Sequence, residues 1–179
     1  PLHHARAGRA VMNAPRAGTY CAALAFTALA LSAGCQHGRR EPLNHSLGGN
    51  AIPEGWPAAS ASFRVNDEFG PRAPGPGSSF HKGIDLSMPE GTPVRATADG
   101  TVAFSGSQRG YGQIVILHHS PVYDTAYAHL HKRYVQEGDL VGKGEHVGES
   151  GQTGNATGPH LHYEVRKNGE PVNPRPYLP

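Results

Sequence analysis

The sequence predicts an all-β domain over residues 62–179, built as an antiparallel sandwich or a small open barrel. Three observations favour this class. Short apolar runs with a period of two recur along the region, as in half-buried strands. Glycine and proline are abundant, at 24 and 16 of 179 residues, and they punctuate these runs as turns do. No stretch of helical length carries apolar residues at a period of 3.6.

Six runs are predicted to be strands, and two dipeptides are predicted to be tight turns. Asp99-Gly100 and Asn168-Gly169 have the composition of two-residue hairpin turns, in which both residues take positive φ. Adjacent antiparallel strands joined by such turns need no crossover helix. The predicted strands cover residues 92–97, 100–104, 113–118, 124–129, 147–149 and 160–166.

The first part of the chain is predicted to be an export segment. We interpret residues 1–11 as an upstream extension, because Met12 is the first plausible start. Residues 12–34 have a short basic stretch followed by an apolar run too short to span a bilayer, which is the order of a secretory signal. The run ends in Leu-Ser-Ala-Gly-Cys, which resembles the lipobox of bacterial lipoproteins and implies lipidation of Cys35. The alternative is a signal peptide cut at a small-residue site, with Cys35 incidental.

Residues 35–61 are predicted to be a disordered tether between the anchor and the domain. This stretch is polar, rich in glycine and proline, and without periodicity. Trp56 is its one large apolar residue, and either docks on the domain or is exposed. Gln36 after the lipidated cysteine favours a lipid-anchored protein in the outer membrane, facing the periplasm. With a net charge of +2 and no Lys/Arg cluster, we expect no nucleic-acid partner. We expect a monomer.

Histidine pairs are the first pointer to chemistry. On a strand, residues i and i+2 share a face, so His160 and His162 point to one side of the sheet, away from Leu161. Upstream, His81 and Asp85 are close enough in sequence to reach one cation. Imidazole and carboxylate together suit Zn²⁺, whose catalytic sites keep three protein ligands and one open position. Each pair alone is weak evidence for a metal site, because the chain has 12 histidines. The alternative is that the histidines simply form a polar face of a strand.

The flanks of these histidines resemble the lysostaphin/LytM-type zinc metallopeptidases, which cut peptidoglycan peptides. The resemblance is colinear over residues 67–178. Its motifs are His-Lys-Gly-Ile-Asp-Leu at 81–86, Pro-Glu-Gly-Thr-Pro-Val at 89–94, Ala-Asp-Gly-Thr-Val at 98–102, Thr-Ala-Tyr-Ala-His-Leu at 125–130, Gly-Glu-Ser-Gly-Gln-Thr-Gly at 148–154 and Thr-Gly-Pro-His-Leu-His-Tyr-Glu-Val at 157–165.

The resemblance implies a role for each matching residue. It implies one Zn²⁺ per domain, and its ligands match His81, Asp85 and His162. The two histidines that flank the metal-bound water in the family match His129 and His160. One of them would act as general base and the other would hydrogen-bond the oxyanion, and the sequence does not say which does which. Tyr111 and Asn155 are candidates for substrate binding, with a turn-forming role as an equal alternative. Gln113 stands where the family commonly has Asn. His119 is expected to form a structural hydrogen bond, while His118, His131 and His146 are expected at the surface.

The function implied is a zinc-dependent endopeptidase that hydrolyses cross-links or stem peptides of bacterial peptidoglycan, as a D,D-endopeptidase. Two alternatives stay open: a non-catalytic regulator that binds peptidoglycan or activates a cell-wall amidase, and a zinc hydrolase of another extracellular peptide. No H-E-x-x-H helix, G-x-S-x-G motif or cysteine nucleophile in the domain offers a different chemistry.

Overall fold

The structure is a computed structural model that describes residues 51–72 and 80–179. Several predictions therefore lie outside the described residues: the extension at 1–11, the signal at 12–34, the lipidated Cys35 and the tether as far as residue 50. Within the described residues, no helix has the length and apolar character needed to span a membrane.

The regular secondary structure of the described residues is almost entirely β, with every strand pairing antiparallel. Only two single-turn 3₁₀ helices, Ser60–Ser62 and Arg175–Tyr177, interrupt it in these ranges. The strands are β1 (Arg64–Asp67), β2 (Gly70–Pro71), β3 (Phe80–His81), β4 (Ile84–Ser87), β5 (Pro93–Arg95), β6 (Gly100–Gln108), β7 (Gly112–His118), β8 (Tyr123–Arg133), β9 (Leu140–Val141), β10 (His146–Ser150), β11 (His160–Lys167) and β12 (Glu170–Val172).

Ten of these strands form one open sheet. Its main path runs β1-β4-β11-β8-β7-β6-β9, with β10 joined to β5 and β8, and β12 joined to β11. Strands β2 and β3 form a separate two-stranded sheet. Each of the six predicted runs overlaps a strand. The prediction of an all-β, antiparallel domain is confirmed, and its strands form an open sheet.

The two faces of strand β11 differ in polarity. On β11, Leu161, Tyr163 and Val165 are fully buried in the main apolar core. His160, His162 and Glu164 alternate with them and so point to the other face. The register places His162 directly opposite Asp85 of β4. A stable apolar layer therefore lies on one side of the strands, and polar side chains converge on the other.

One predicted hairpin turn is confirmed and the other is wrong. Asn168 and Gly169 have φ of +53° and +83° and join β11 to β12, as a primed turn requires. Gly100 instead begins β6 and pairs with Val141 of β9. A Cβ at Gly100 would lie 2.6 Å from the carbonyl oxygen of His118. Close strand approach, rather than a turn, accounts for this glycine.

Residues 51–61 pack on the domain, unlike the tether predicted for them. The backbone N–H of Glu54 donates to the carbonyl of Thr97 at 3.0 Å, and that of Arg95 donates to the carbonyl of Pro57 at 2.8 Å. Ala58 is buried in the main core. Backbone hydrogen bonds and short apolar contacts hold this segment, and neither produces a periodic sequence pattern.

The Trp56 side chain is expected to be a main anchor of this segment. Its ring packs on Phe63, with 4.8 Å between centroids, and contacts the main core. Because the ring is half-buried, Trp56→Ala should lower the free energy of unfolding by about 2 kcal/mol in urea denaturation. The exposed Ile52→Ala is the control and should change it by less than about 0.5 kcal/mol. Equal stability of Trp56→Ala and wild type would mean that the Trp56 ring does not anchor the segment.

Candidate metal centre and active site

Three donor atoms from three strands meet on the polar face of the sheet. The Nε2 of His81 lies 3.1 Å from Asp85 Oδ1 and 3.0 Å from His162 Nδ1, and the last two atoms are 2.7 Å apart. All three residues are buried. Ligands about 2.1 Å from a tetrahedral zinc lie about 3.4 Å from each other. The cluster thus fits a Zn²⁺ ion if its donor atoms move apart by about 0.3 to 0.7 Å.

Hydrogen bonds to the far ring nitrogens set the tautomers of both histidines. The Nδ1–H of His81 donates to the Glu68 carbonyl at 2.8 Å, which leaves Nε2 as a lone-pair donor for a metal. The Nε2–H of His162 donates to Glu164 Oε1 at 3.1 Å, which leaves Nδ1 for the same metal. Such outer partners are the usual way that proteins orient metal-binding imidazoles.

Glu164 is fully buried behind the cluster and was not singled out from the sequence. Besides His162, it accepts hydrogen bonds from the Tyr111 hydroxyl at 2.8 Å and from Arg166 Nε at 2.7 Å. Burial alone would raise the pKa of Glu164, but the hydrogen bond from His162 and the charge of Arg166 lower it to about 2. Strand alternation beyond the H-x-H pair could have found this residue, because positions 160, 162 and 164 share one face.

The Asp85 carboxyl is also held as a carboxylate. Burial opposes its ionisation, but when no metal is bound and the facing nitrogens of His162 and His81 carry a proton, hydrogen bonds from these two rings outweigh burial and hold the pKa of Asp85 well below its usual range. An ionised Asp85 supplies the negative charge that a dication needs beside two neutral imidazoles.

His129 and His160 form a second pair beside the metal cluster, with ring centroids 4.6 Å apart. The Nδ1–H of His129 donates to the Thr153 carbonyl at 2.7 Å, and that of His160 donates to the Gly158 carbonyl at 2.8 Å. In each ring Nδ1 therefore carries the proton, and Nε2 is the nitrogen with the lone pair. Burial lowers the pKa of His129 to about 4, so this imidazole is neutral at neutral pH.

An unusual backbone conformation directs His129 toward this pair. Alternation along β8 would send residue 129 to the same side as the core residue Tyr127. Its φ is +58° instead, a left-handed conformation that few non-glycine residues adopt. Such a conformation costs about 1 to 2 kcal/mol, and it recurs where side chains are placed for function.

A cleft of about 570 Å³ opens over the two groups of residues. Tyr111, between β6 and β7, and Asn155, between β10 and β11, both line it. Their two loops are joined where Asn155 N–H donates to the Gly110 carbonyl at 2.9 Å. Asn155 is exposed to the cleft. The Tyr111 hydroxyl is engaged by Glu164, and burial raises the pKa of Tyr111 to about 12. Tyr111 thus supports the cluster as well as lining the cleft.

The remaining histidines of the domain lie away from the cluster. His119 bonds the Asp99 carbonyl and the Thr125 hydroxyl, which confirms the expected structural hydrogen bond. His118 and His131 are about half exposed, as expected. His146 differs from the expectation, because its ring stacks on Tyr134 and its Nε2 is buried.

Glu164→Gln is expected to weaken zinc binding by about 10- to 100-fold, since the variant keeps the shape of the side chain but loses the charge that orients His162. Competition with a chromophoric chelator measures the effect. Glu170→Gln, an exposed acid on β12, is the matched control and should bind zinc as wild type does. Unchanged affinity in Glu164→Gln would show that the carboxylate does not support the ligand.

Sequence comparison decides the family. The model of Peptidase family M23 matches residues 79–174, which include every residue of the metal cluster and the histidine pair. The chain belongs to peptidase family M23. The resemblance to lysostaphin/LytM-type peptidases is thereby confirmed.

Two curated relatives and two solved structures illustrate the similarity of the M23 domain. It is 53% identical over 95 residues to the DD-carboxypeptidase/endopeptidase Mpg of Neisseria meningitidis, covering 53% of this chain and 22% of that protein. It is 40% identical over 116 residues to the peptidoglycan DD-endopeptidase ShyA of Vibrio cholerae, covering 63% and 27%. The chain thus spans about a quarter of the length of these two relatives.

Among solved structures, the catalytic domain of lysostaphin from Staphylococcus simulans superposes with a TM-score of 0.61 at 33% identity, covering 64% of this chain and 91% of that one. A zinc-containing peptidase from Vibrio cholerae superposes with a TM-score of 0.64 at 34% identity, covering 69% and 39%.

Proposed function

We propose that the M23 domain is a zinc-dependent endopeptidase that hydrolyses peptide bonds of peptidoglycan. One observation carries the proposal: three metal-donor atoms lie within 3.1 Å of each other, and two further histidines lie beside them. Neither His129 nor His160 is hydrogen-bonded to a donor atom of the cluster, and each instead donates to a backbone carbonyl. A metal centre next to polar groups free for proton transfer is the arrangement that hydrolysis needs.

His81, Asp85 and His162 would hold the ion through Nε2, Oδ1 and Nδ1. Bound there, zinc supplies Lewis acidity for polarising a carbonyl and for activating water. The donor set of two imidazoles and one carboxylate matches that of catalytic zinc sites.

The histidine pair would handle the proton. One of His129 and His160 would accept at Nε2 a proton from the water that attacks the scissile carbonyl, and would return it to the leaving amine. The other hydrogen-bonds the charge that develops on the carbonyl oxygen. The hydrogen bonds from Nδ1 to backbone carbonyls hold both rings so that Nε2 is the atom available for these steps.

The same pair favours an enzyme over the alternative of a non-catalytic regulator. A zinc ion with only a structural role would need the three ligands but not His129 and His160. The strained backbone of His129 would also serve no purpose in a purely structural site. An open cleft above the cluster gives a peptide access to these groups.

The substrate we propose is the peptide cross-link or stem peptide, cut as a D,D-endopeptidase. The similarity to the Vibrio and Neisseria enzymes supports this assignment. The lipobox-like sequence supports lipidation at Cys35. The lipid would anchor the protein, as a monomer, in the outer membrane with its domain facing the periplasm. Tyr111 and Asn155 line the cleft where a bound peptide would lie.

Digestion of purified, cross-linked peptidoglycan tests the proposal. The zinc-loaded chain should consume cross-linked muropeptide dimers, and mass spectrometry of the products identifies the bond. His160→Ala with the same zinc content is the control and should leave the dimers intact. Intact dimers with the zinc-loaded wild type would instead favour the regulator, whose test is activation of a purified cell-wall amidase.

A further inference from the structure

Arg72 contacts the carboxylate of the metal cluster from outside the cluster. The residue follows β2 and lines the cleft. Its Nη2 donates to Asp85 Oδ2 at 3.0 Å, and its Nε donates to Asp67 Oδ2 at 2.6 Å. One guanidinium therefore bridges two carboxylates, and one of them belongs to the cluster.

The two oxygens of Asp85 have separate partners. Oδ1 faces His81 and His162, at 3.1 and 2.7 Å. Oδ2 accepts the hydrogen bond from Arg72. A carboxylate can bind a metal through one oxygen or through both, and a second oxygen occupies a position that a zinc peptidase keeps open. With Oδ2 held by the guanidinium, Oδ1 is the oxygen left for a metal.

Asp67 fixes the guanidinium in this position. It lies on the edge strand β1, in register with Asp85 of β4. Without Asp67, the Arg72 side chain, which is 39% exposed, could turn into solvent. A guanidinium presents its N–H groups in a rigid planar fork, so the two carboxylates together determine its orientation. Asp67 also balances a positive charge that would otherwise stand next to a bound dication.

We infer that Arg72, held by Asp67, is a positioning residue that restricts Asp85 to metal binding through one oxygen and so keeps a coordination position open for the reaction. The inference rests on the proposed metal site and adds to it the control of coordination number. Lysine could supply the charge at this position, but it lacks the planar fork that bonds both carboxylates at once.

Cobalt substitution tests the inference without any peptide substrate. Four-coordinate Co²⁺ absorbs visible light several times more strongly than five- or six-coordinate Co²⁺. The full chain loaded with one equivalent of Co²⁺ should show the strong spectrum, and Arg72→Gln should lose about half of that intensity or more. Arg72→Lys should also lose intensity, because it cannot bond both carboxylates. Arg64→Gln, an exposed arginine on β1, is the matched control and should keep the wild-type spectrum.

Asp67→Asn tests the other half of the arrangement. It should lower the intensity in the same direction as Arg72→Gln. Asp67 Oδ2 also lies 3.6 Å from His81 Nδ1, so a double variant no worse than Arg72→Gln alone would show that Asp67 acts through Arg72 and not through His81. A wild-type spectrum in Arg72→Gln, with zinc affinity within twofold of wild type, would overturn the inference while leaving the metal site intact. A wild-type chain that binds no cobalt would contradict the proposed metal site and this inference together.

Discussion

Replacement of His162 by alanine is expected to remove the zinc and to lower cleavage of cross-linked peptidoglycan by at least about 10³-fold. His162 supplies one of three donor atoms, and two protein ligands do not hold zinc firmly at a catalytic site. The change also removes the donor that faces Glu164, which leaves part of a buried carboxylate unpaired. Metal analysis after dialysis should give less than about 0.1 zinc per chain.

The chain provides a matched control for this experiment. His131 is the second histidine of His129-Leu130-His131, which has the same H-x-H spacing as His160 and His162. Its side chain is 43% exposed and faces Glu90. His131→Ala should keep one zinc and the wild-type rate. A His162→Ala protein that keeps one zinc per chain and the wild-type rate would remove His162 from the site.

His160→Ala should separate catalysis from metal binding. The rate is expected to fall by about 10² to 10⁴-fold, the range for removal of a general acid or base, while one zinc per chain remains bound. The reason is geometric, because His160 Nε2 lies 3.8 Å from Asp85 Oδ1 and outside the three-atom cluster. Measured rates at matched zinc content give the comparison.

A substitution at His129 must be compatible with the positive φ of this residue. Asparagine tolerates a left-handed φ far better than alanine does, so His129→Asn removes the imidazole with less added strain. It should lower the rate by a similar factor and also keep the zinc. The surface variant His118→Ala is the control for both. Full activity in either active-site variant would show that the corresponding histidine takes no part in the reaction.

Local patterns predicted much of this molecule. The period of two along 160–166 separated Leu161 and Tyr163, now in the core, from His160 and His162 on the opposite face. Turn chemistry predicted the hairpin at Asn168. Such features depend on neighbouring residues, so a single sequence contains them.

Other features depend on contacts distant in sequence. The pairing of β4 with β11 brings Asp85 opposite His162, 77 residues later, and no local pattern encodes that register. Arg72 is likewise an ordinary arginine until the fold sets it between two carboxylates. The positive φ of His129 arises where β8 departs from regular pairing, and the sequence at 124–129 still reads as a plain strand.

The measurement that tests the central claim most directly is a zinc titration of the metal-stripped chain, with cleavage of a purified cross-linked muropeptide dimer as the readout. Cleavage should be absent at the start, rise in proportion to added zinc, and level off at one zinc per chain. Full cleavage by the stripped chain, or no cleavage after one zinc has bound, would contradict the assignment of a catalytic zinc to His81, Asp85 and His162.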